Sequence, residues 1–185
     1  MNPTDTTRPT DSRGTQQSRD ERLEEAFLRW QHELLGMLFV LVGHREDARD
    51  ALQEAFFKCW RRRDGLDEVQ NLRAWVFQVT LNVGRDMRAT AWRRRRRPLE
   101  DEDVMTVASQ IQPDDAASRA EQVALVRRAL VDLRPEEQEV FLLRQNGQMT
   151  YEEIAAAIRI PLGTVKTRMR LAIGKLRAAL QPRPE

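Results

Sequence analysis

A single cysteine, Cys59, leaves no partner for an internal disulfide and no means of building a multi-cysteine zinc site. The two histidines, His32 and His44, are isolated, and neither stands at metal-ligand spacing from a cysteine or carboxylate. No glycine-rich phosphate loop and no nucleophile paired with a base is present, so the chain is expected to be no enzyme and to need no cofactor or metal. No apolar run approaches the ~18 residues of a membrane span, and the N-terminus has no apolar signal core. A soluble, cytoplasmic protein is expected. Alternating Val/Ile/Thr runs are missing too, which argues against a sheet. What remains is 32% charged and rich in Ala, Leu, Arg and Glu, a helix-forming balance; 185 residues suit one or two small domains. The predicted fold is all-α.

Residues 1–19 are polar and aperiodic and read as a disordered tail. From Asp20 to Val42, Leu23, Phe27, Trp30, Leu34, Met37, Leu38 and Leu41 mark an amphipathic helix. A second helix spans about Glu46 to Arg62, with Ala48, Leu52, Ala55, Phe56 and Cys59 inward, and Asp64-Gly65 breaks it. Asn71 is placed to cap a third helix through Trp75, Val79, Val83 and Met87 towards Trp92. Arg93 to Arg97 form a run of five arginines, and Pro98 ends it. Pro98 to Asp115 then carry six acidic residues and no basic one, so residues 98–116 read as a flexible acidic linker. A second helical domain, residues 117–181, opens with Val123, Val126 and Leu130 facing inward. It continues through a helix started by Pro135 and carrying Val140, Leu142 and Leu143.

The segment Thr150 to Ala172, TYEEIAAAIRIPLGTVKTRMRLA, reads as two short helices around a tight turn. Ile154, Ala155 and Ile158 share one face, Ile160-Pro161 interrupts, and Gly163-Thr164 offers a capped restart before Val165, Met169 and Ala172. Periodicity alone fits both a plain helical hairpin and a helix-turn-helix, whose second helix enters the DNA major groove. Charge separates the two. Seven basic residues and no acidic one lie between Arg159 and Pro184. A solvated face gains from mixed signs, whereas phosphate binding asks for local positive charge even in a chain of net charge +2.

Two further faces stand out in the N-terminal domain. Asp50, Gln53, Glu54 and Phe57 form a stripe on the second helix away from its apolar side. By itself that stripe reads as a solvated face. The third helix combines Arg85, Arg88 and the arginine run with Trp75, Asn82 and Trp92. Arginines track phosphates, rings stack on bases and an amide reads an exposed base edge, a combination suited to unstacked nucleic acid. A localisation signal accounts for the arginine run equally well, and the tryptophans taken singly suit a core, Trp75 above all.

Together these segments resemble a bacterial sigma factor of the extracytoplasmic-function (ECF) group in the sigma-70 family. DARDALQEAFFKCW (Asp47 to Trp60) is similar to region 2.2, Asn71 to Arg97 to regions 2.3 and 2.4, and Leu133 to Leu180 to region 4. The resemblance implies a region 2 domain over residues 20–97 and a region 4 domain over 117–181. It assigns Asp50, Gln53, Glu54 and Phe57 to the clamp helices of core RNA polymerase, whose flap is a further expected contact. Asn82, Arg85, Arg88, Trp92, Arg93 and Arg94 would bind the −10 element, with the loop Asp64 to Gln70 capturing a flipped base. Thr164, Lys166, Thr167, Arg168 and Arg170 would meet the −35 element in the major groove. Promoter DNA, core polymerase and an anti-sigma factor are the implied partners. The Ile173-Gly174 pair stands where many relatives carry a further basic residue, which weakens the case for backbone contacts there. A stand-alone helix-turn-helix regulator is the main alternative, and it leaves the Asp47–Trp60 stripe and the third helix unexplained; a decoy that keeps only the fold is a third.

Overall fold

The computed structural model describes residues 12–94 and 113–181. Its elements are α1 (Ser12–Val42), α2 (Arg45–Trp60), a 3₁₀ turn (Arg63–Glu68), α3 (Leu72–Arg94), α4 (Pro113–Val131), α5 (Pro135–Gln145), α6 (Tyr151–Ile158) and α7 (Leu162–Leu180). No strand occurs among the described residues. The fold is all-α.

In the N-terminal half, α1, α2 and α3 pack around Leu23, Leu34, Met37 and Leu38 of α1 and Val76, Phe77 and Leu81 of α3. From α2 come Ala48, Ala51, Ala55 and Cys59, all buried, and small side chains at this spacing let neighbouring helices approach closely. Phe27 meets Phe56 edge-on at 5.2 Å. Burial pushes the Cys59 thiol up to about 12, the behaviour of an inert core thiol. Asn71 caps α3 as expected, its Oδ1 accepting from the Ala74 amide at 3.0 Å. One boundary differs from the sequence reading. α1 begins at Ser12, so residues 12–19 are helix rather than disordered tail. Arg19 and Asp20 tie these turns to the 3₁₀ turn, an anchoring that polar composition does not reveal. Residues 1–11 of the expected tail, and residues 98–112 of the expected linker, lie outside the described residues.

In the C-terminal half, Val140, Leu142 and Leu143 of α5, Met149, Ile154 of α6, and Val165 and Met169 of α7 are buried. They join the N-terminal residues in one continuous core. The end of α4 packs separately, Ala129, Leu130 and Leu133 against Ala172 and Leu176. Two corrections arise here. Val123 and Val126 are exposed, because α4 starts earlier, at Pro113, and rests on α7 mainly through its final turn. The restart after the helix-turn-helix turn comes at Leu162 rather than from a Gly163-Thr164 cap: Pro161, with φ −59°, holds the N-cap position and no side chain caps it. Arg159 closes α6 in the left-handed region, φ 55°.

Gly147, just after α5, is a point of close approach. A Cβ there would stand 2.5 Å from the Leu143 carbonyl oxygen. Gly147→Ala is expected to destabilise the chain by about 1–3 kcal/mol through forced backbone displacement. Gly163→Ala, where a Cβ would meet nothing within 4 Å, should leave the thermal midpoint unchanged or higher. Thermal melts of the two variants make the comparison.

Candidate polymerase and nucleic-acid interfaces

The apolar side of α2 fixes what its other side presents. With Ala48, Ala51, Ala55 and Cys59 turned inward, Asp50, Gln53, Glu54 and Phe57 are all exposed. Glu54 lies 3.6 Å from Arg61 and 4.0 Å from Lys58. Beside this stripe, Leu28 of α1 is 74% exposed and Phe57 57%, and the two line a groove with Phe27, Leu52 and Phe56. Large apolar side chains left together in water mark a surface that gains by being covered. Leu28 escapes sequence reading because it falls off the buried stripe of α1; its place directly after Phe27, out of helical phase, is the available signal.

The second candidate surface, on α3, is not open. The structure brings Asn82, Arg85 and Arg88 together, but against α5. Arg85 Nε donates to Glu139 Oε1 at 2.7 Å, and its Nη2 donates to Glu139 Oε2. Arg88 Nη1 donates to Gln138 Oε1 at 3.1 Å, and its Nη2 lies 3.6 Å from Glu139 Oε1. Asn82 Oδ1 accepts from Arg85 Nη1 at 3.3 Å. The hydrogen bond to Glu139 raises the Arg85 guanidinium above its ordinary value. Glu139 has a side chain only 7% exposed, and Glu137, at 4%, accepts from Lys175 Nζ at 2.9 Å. Closer to the start of α3, Arg73 donates to the carbonyls of Gly147 (2.8 Å) and Asn146 (2.7 Å). The Arg73 guanidinium lies over the rings of Trp30 and Phe77 at 5.1 and 4.9 Å. Gln78 donates to the Ala157 carbonyl and Asn71 to Glu153. Arg73, Gln138 and Glu139 were not singled out from the sequence. Nothing in the periodicity of α5 distinguishes Glu139 from a solvated acid.

Trp92, Arg93 and Arg94 fall on the last turn of α3, and the arginines beyond them lie outside the described residues. The loop before α3 contains the 3₁₀ turn, anchored by Leu66, which is buried.

The third surface is α7. A capping box starts α6, in which the Thr150 hydroxyl accepts from the Glu153 amide (3.1 Å) and Glu153 accepts from the Thr150 amide (2.7 Å). Those bonds hold the Glu153 carboxyl below the usual carboxylate range, the Thr150 backbone amide contributing most. With α6 fixed and Val165, Met169 and Ala172 buried, α7 turns Lys166, Thr167 and Arg170 to solvent, with Thr164 and Arg168 half-buried. Among the described residues, Lys166, Arg168 and Arg170 have no ion-pair partner. Lys166 and Arg170, at i and i+4, share one exposed face that suits phosphate and base-edge contact, with Arg168 farther round the helix. No cluster able to hold a metal ion is found among the described residues, and no described helix is long and apolar enough to cross a membrane.

Known proteins are similar to this chain. The family described as Sigma-70 region 2 matches residues 26–98, and that described as Sigma-70, region 4 matches residues 124–176. The chain is 33% identical over 144 residues to the RNA polymerase sigma-E factor of Streptomyces coelicolor, covering 77% of each. It is 29% identical over 159 residues to the ECF RNA polymerase sigma factor SigL of Mycobacterium tuberculosis, covering 85% of each. Among solved structures, a chain of CnrH in complex with the cytosolic domain of CnrY superposes with a TM-score of 0.64 at 25% identity, over 87% of this chain and 88% of that one.

The contact between Glu139 and the α3 arginines generates a direct test. Glu139→Lys sets a third cation against Arg85 and Arg88, and like charges held this close in a partly dry site repel strongly. The halves should separate. Small-angle scattering is expected to show a larger radius of gyration than the unaltered chain, with far-UV helicity essentially retained.

Proposed function

The chain belongs to the sigma-70 family of bacterial RNA polymerase sigma factors, in the ECF group, and from that premise we propose how its three surfaces divide the work. As a sigma factor it binds core RNA polymerase and promoter DNA and directs promoter-specific transcription initiation. Members of this family are initiation factors rather than catalysts. In our reading α1 to α3 form the region 2 domain and α4 to α7 the region 4 domain. α1 extends the first back to Ser12 and α4 extends the second back to Pro113, which narrows the linker to residues 98–112.

Asp50, Gln53, Glu54 and Phe57 dock on the clamp helices of core polymerase, with Leu28 extending the apolar part of the contact. Asn82, Arg85, Arg88, Trp92, Arg93 and Arg94 hold the melted −10 element. Thr164, Lys166, Thr167, Arg168 and Arg170 read the −35 element in duplex form. The chain works in the cytoplasm, and an anti-sigma factor covers the exposed Leu28–Phe57 groove when transcription is not required. CnrH, at 25% identity to this chain, was likewise solved with a protein partner, the cytosolic domain of CnrY.

The observation that carries this reading is the contrast between two sets of arginines. Those of α7 are free among the described residues, while Arg85 and Arg88 are satisfied by Glu139 and Gln138. Duplex contact therefore needs no rearrangement, whereas −10 binding exchanges a carboxylate for backbone phosphates. Each charge-assisted bond given up is worth about 1.5–3 kcal/mol, and each one gained is worth a similar amount. The exchange nearly balances, so separation has to be driven from elsewhere. Core polymerase supplies that drive, because the α2 surface is open in the closed chain and engages first.

The test is reconstitution with core polymerase and measurement of specific transcripts. Lys166→Ala or Arg170→Ala should cost about 1–3 kcal/mol at a −35 guanine contact, or lower the salt dependence by about one phosphate. Core affinity should be unchanged. Glu54→Ala should weaken core binding and leave −35 recognition intact. A chain that binds duplex DNA tightly alone and has no effect on core polymerase would defeat this assignment.

A further inference from the structure

We propose that the first turns of α1, Gln16 to Arg22, are a positioning element for the loop that reads the −10 base. The inference rests on the reading of Asp64 to Gln70 as the base-capture loop. It is drawn from side chains that precede residue 26, where the match to Sigma-70 region 2 begins.

The 3₁₀ turn at the heart of this loop is held at both ends by α1. At its start, Arg63 Nε lies 2.9 Å from Asp20 Oδ1, Arg63 Nη1 donates to the Trp60 carbonyl at 3.0 Å, and the guanidinium stacks on the Trp60 ring at 4.8 Å. With the Gln16 amide oriented to suit its neighbours, its oxygen accepts from Arg63 Nε at 2.8 Å and its nitrogen donates to Asp64 Oδ1 at 3.1 Å. Towards its end, Asp67 Oδ2 accepts from Arg19 Nε at 2.8 Å, and Arg22 Nη1 lies 3.7 Å from Asp67 Oδ1. Between the two ends Leu66 is buried in the core. The signs alternate in register: Arg19, Asp20 and Arg22 of α1 face Asp67, Arg63 and Asp67 of the loop. Gln17 donates to Glu21 at 3.1 Å and stiffens the turn from which these groups project.

Asp64, Gly65, Glu68 and Gln70 are left exposed on a turn whose backbone is fixed from below. A flipped base is read by a small number of hydrogen bonds, and those discriminate only if the groups making them are already in place. The ion pairs are partly solvated and add little to global stability. Their effect is to remove the ordering that an untethered loop would undergo on binding. Arg19, Asp20 and Arg22 are positioning residues that need not touch DNA.

The experiment uses the full chain with core polymerase and four promoters that differ only at the captured −10 base. Open-complex formation gives the ratio of best to worst promoter. Arg19→Ala combined with Arg22→Ala should compress that ratio on the order of 5-fold, with unchanged core affinity, −35 dependence and thermal midpoint. Arg19→Lys, which keeps the charge, should restore much of it. Glu68→Ala and Gln70→Ala in the loop provide the reference. If these loop variants shift base preference while the α1 double variant leaves the ratio intact, the positioning role is wrong and the loop assignment stands. If neither set moves base preference, the loop does not read the base, and both fall. A matching drop in thermal midpoint and core affinity in the α1 variant would reduce these contacts to scaffold and overturn the proposal.

Discussion

A carboxylate leaves water only where charge partners and hydrogen bonds replace its hydration. The start of α5 imposes that condition twice, at Glu137 and Glu139, and buries an amide, Gln138, between them. Glu137 is buried against Lys175 of α7. Gln138 donates to the Leu130 carbonyl at the end of α4 and accepts from Arg88 of α3. Glu139 is buried against Arg85 and Arg88. Successive helical residues point about 100° apart, so these three reach three different elements, and all are satisfied at once only when α3, α4 and α7 surround α5. Apolar burial joins the two halves into one core without dictating which way they face. Direction comes from the polar turn, because any other docking would strand at least one charge in a dry site.

That constraint decides which surfaces are open. α2 and α7 look outward from opposite halves, and neither takes part in the contact around Glu139. The basic face of α3 is turned inward by the same residues that suit it to nucleic acid, since a guanidinium fork fits a carboxylate as well as it fits a phosphate. On the proposed reading, one set of arginines serves two mutually exclusive partners. The net charge of +2 conceals this arrangement: free arginines on α7, paired ones on α3 and a run of acidic residues between the halves all enter one total of 31 basic and 29 acidic residues. Function follows local charge, which composition averages away.

Much of the fold was legible because it is written in periodicity. The stripes Leu23 to Leu41 and Val165 to Ala172 lie where helical spacing puts them, and Asn71 caps α3 as its chemistry suggests. The unpaired state of Lys166, Arg168 and Arg170 was legible from residue type and order, since they share a segment with no acid to pair them. What escaped depends on partners distant in sequence. Residues 12–19 look like a tail until Asp67 and Arg63 arrive across the fold. Val123 and Val126 have the spacing of a core face but no neighbouring helix to bury them. Glu139 looks like any surface acid of an amphipathic helix, because its burial is conferred by α3, 54 residues earlier in the chain. Gly163-Thr164 resembles a helix start, yet the fixed φ of Pro161 had already set the turn.

In the proposed reading, a closed ground state also lowers the affinity of the free chain for DNA. The apparent affinity of a site is its intrinsic affinity multiplied by the fraction of molecules in which it is exposed. If the open form is about one molecule in a hundred, the α3 surface loses about a hundredfold, or roughly 2.7 kcal/mol, before any contact is made. α7 retains its own contacts, but one helix with a few free cations binds duplex weakly at physiological salt, where each phosphate contact is discounted by counterion competition. Neither half then holds a promoter alone. On the proposed assignment, a polymerase that grips the open α2 surface and keeps the halves apart would restore the missing factor on α3. In doing so it joins two weak contacts into one bivalent grip, whose strength is set by the span between them. On the reading proposed above, selectivity for the assembled enzyme would then come from a buried carboxylate on α5, with no added inhibitory domain among the described residues.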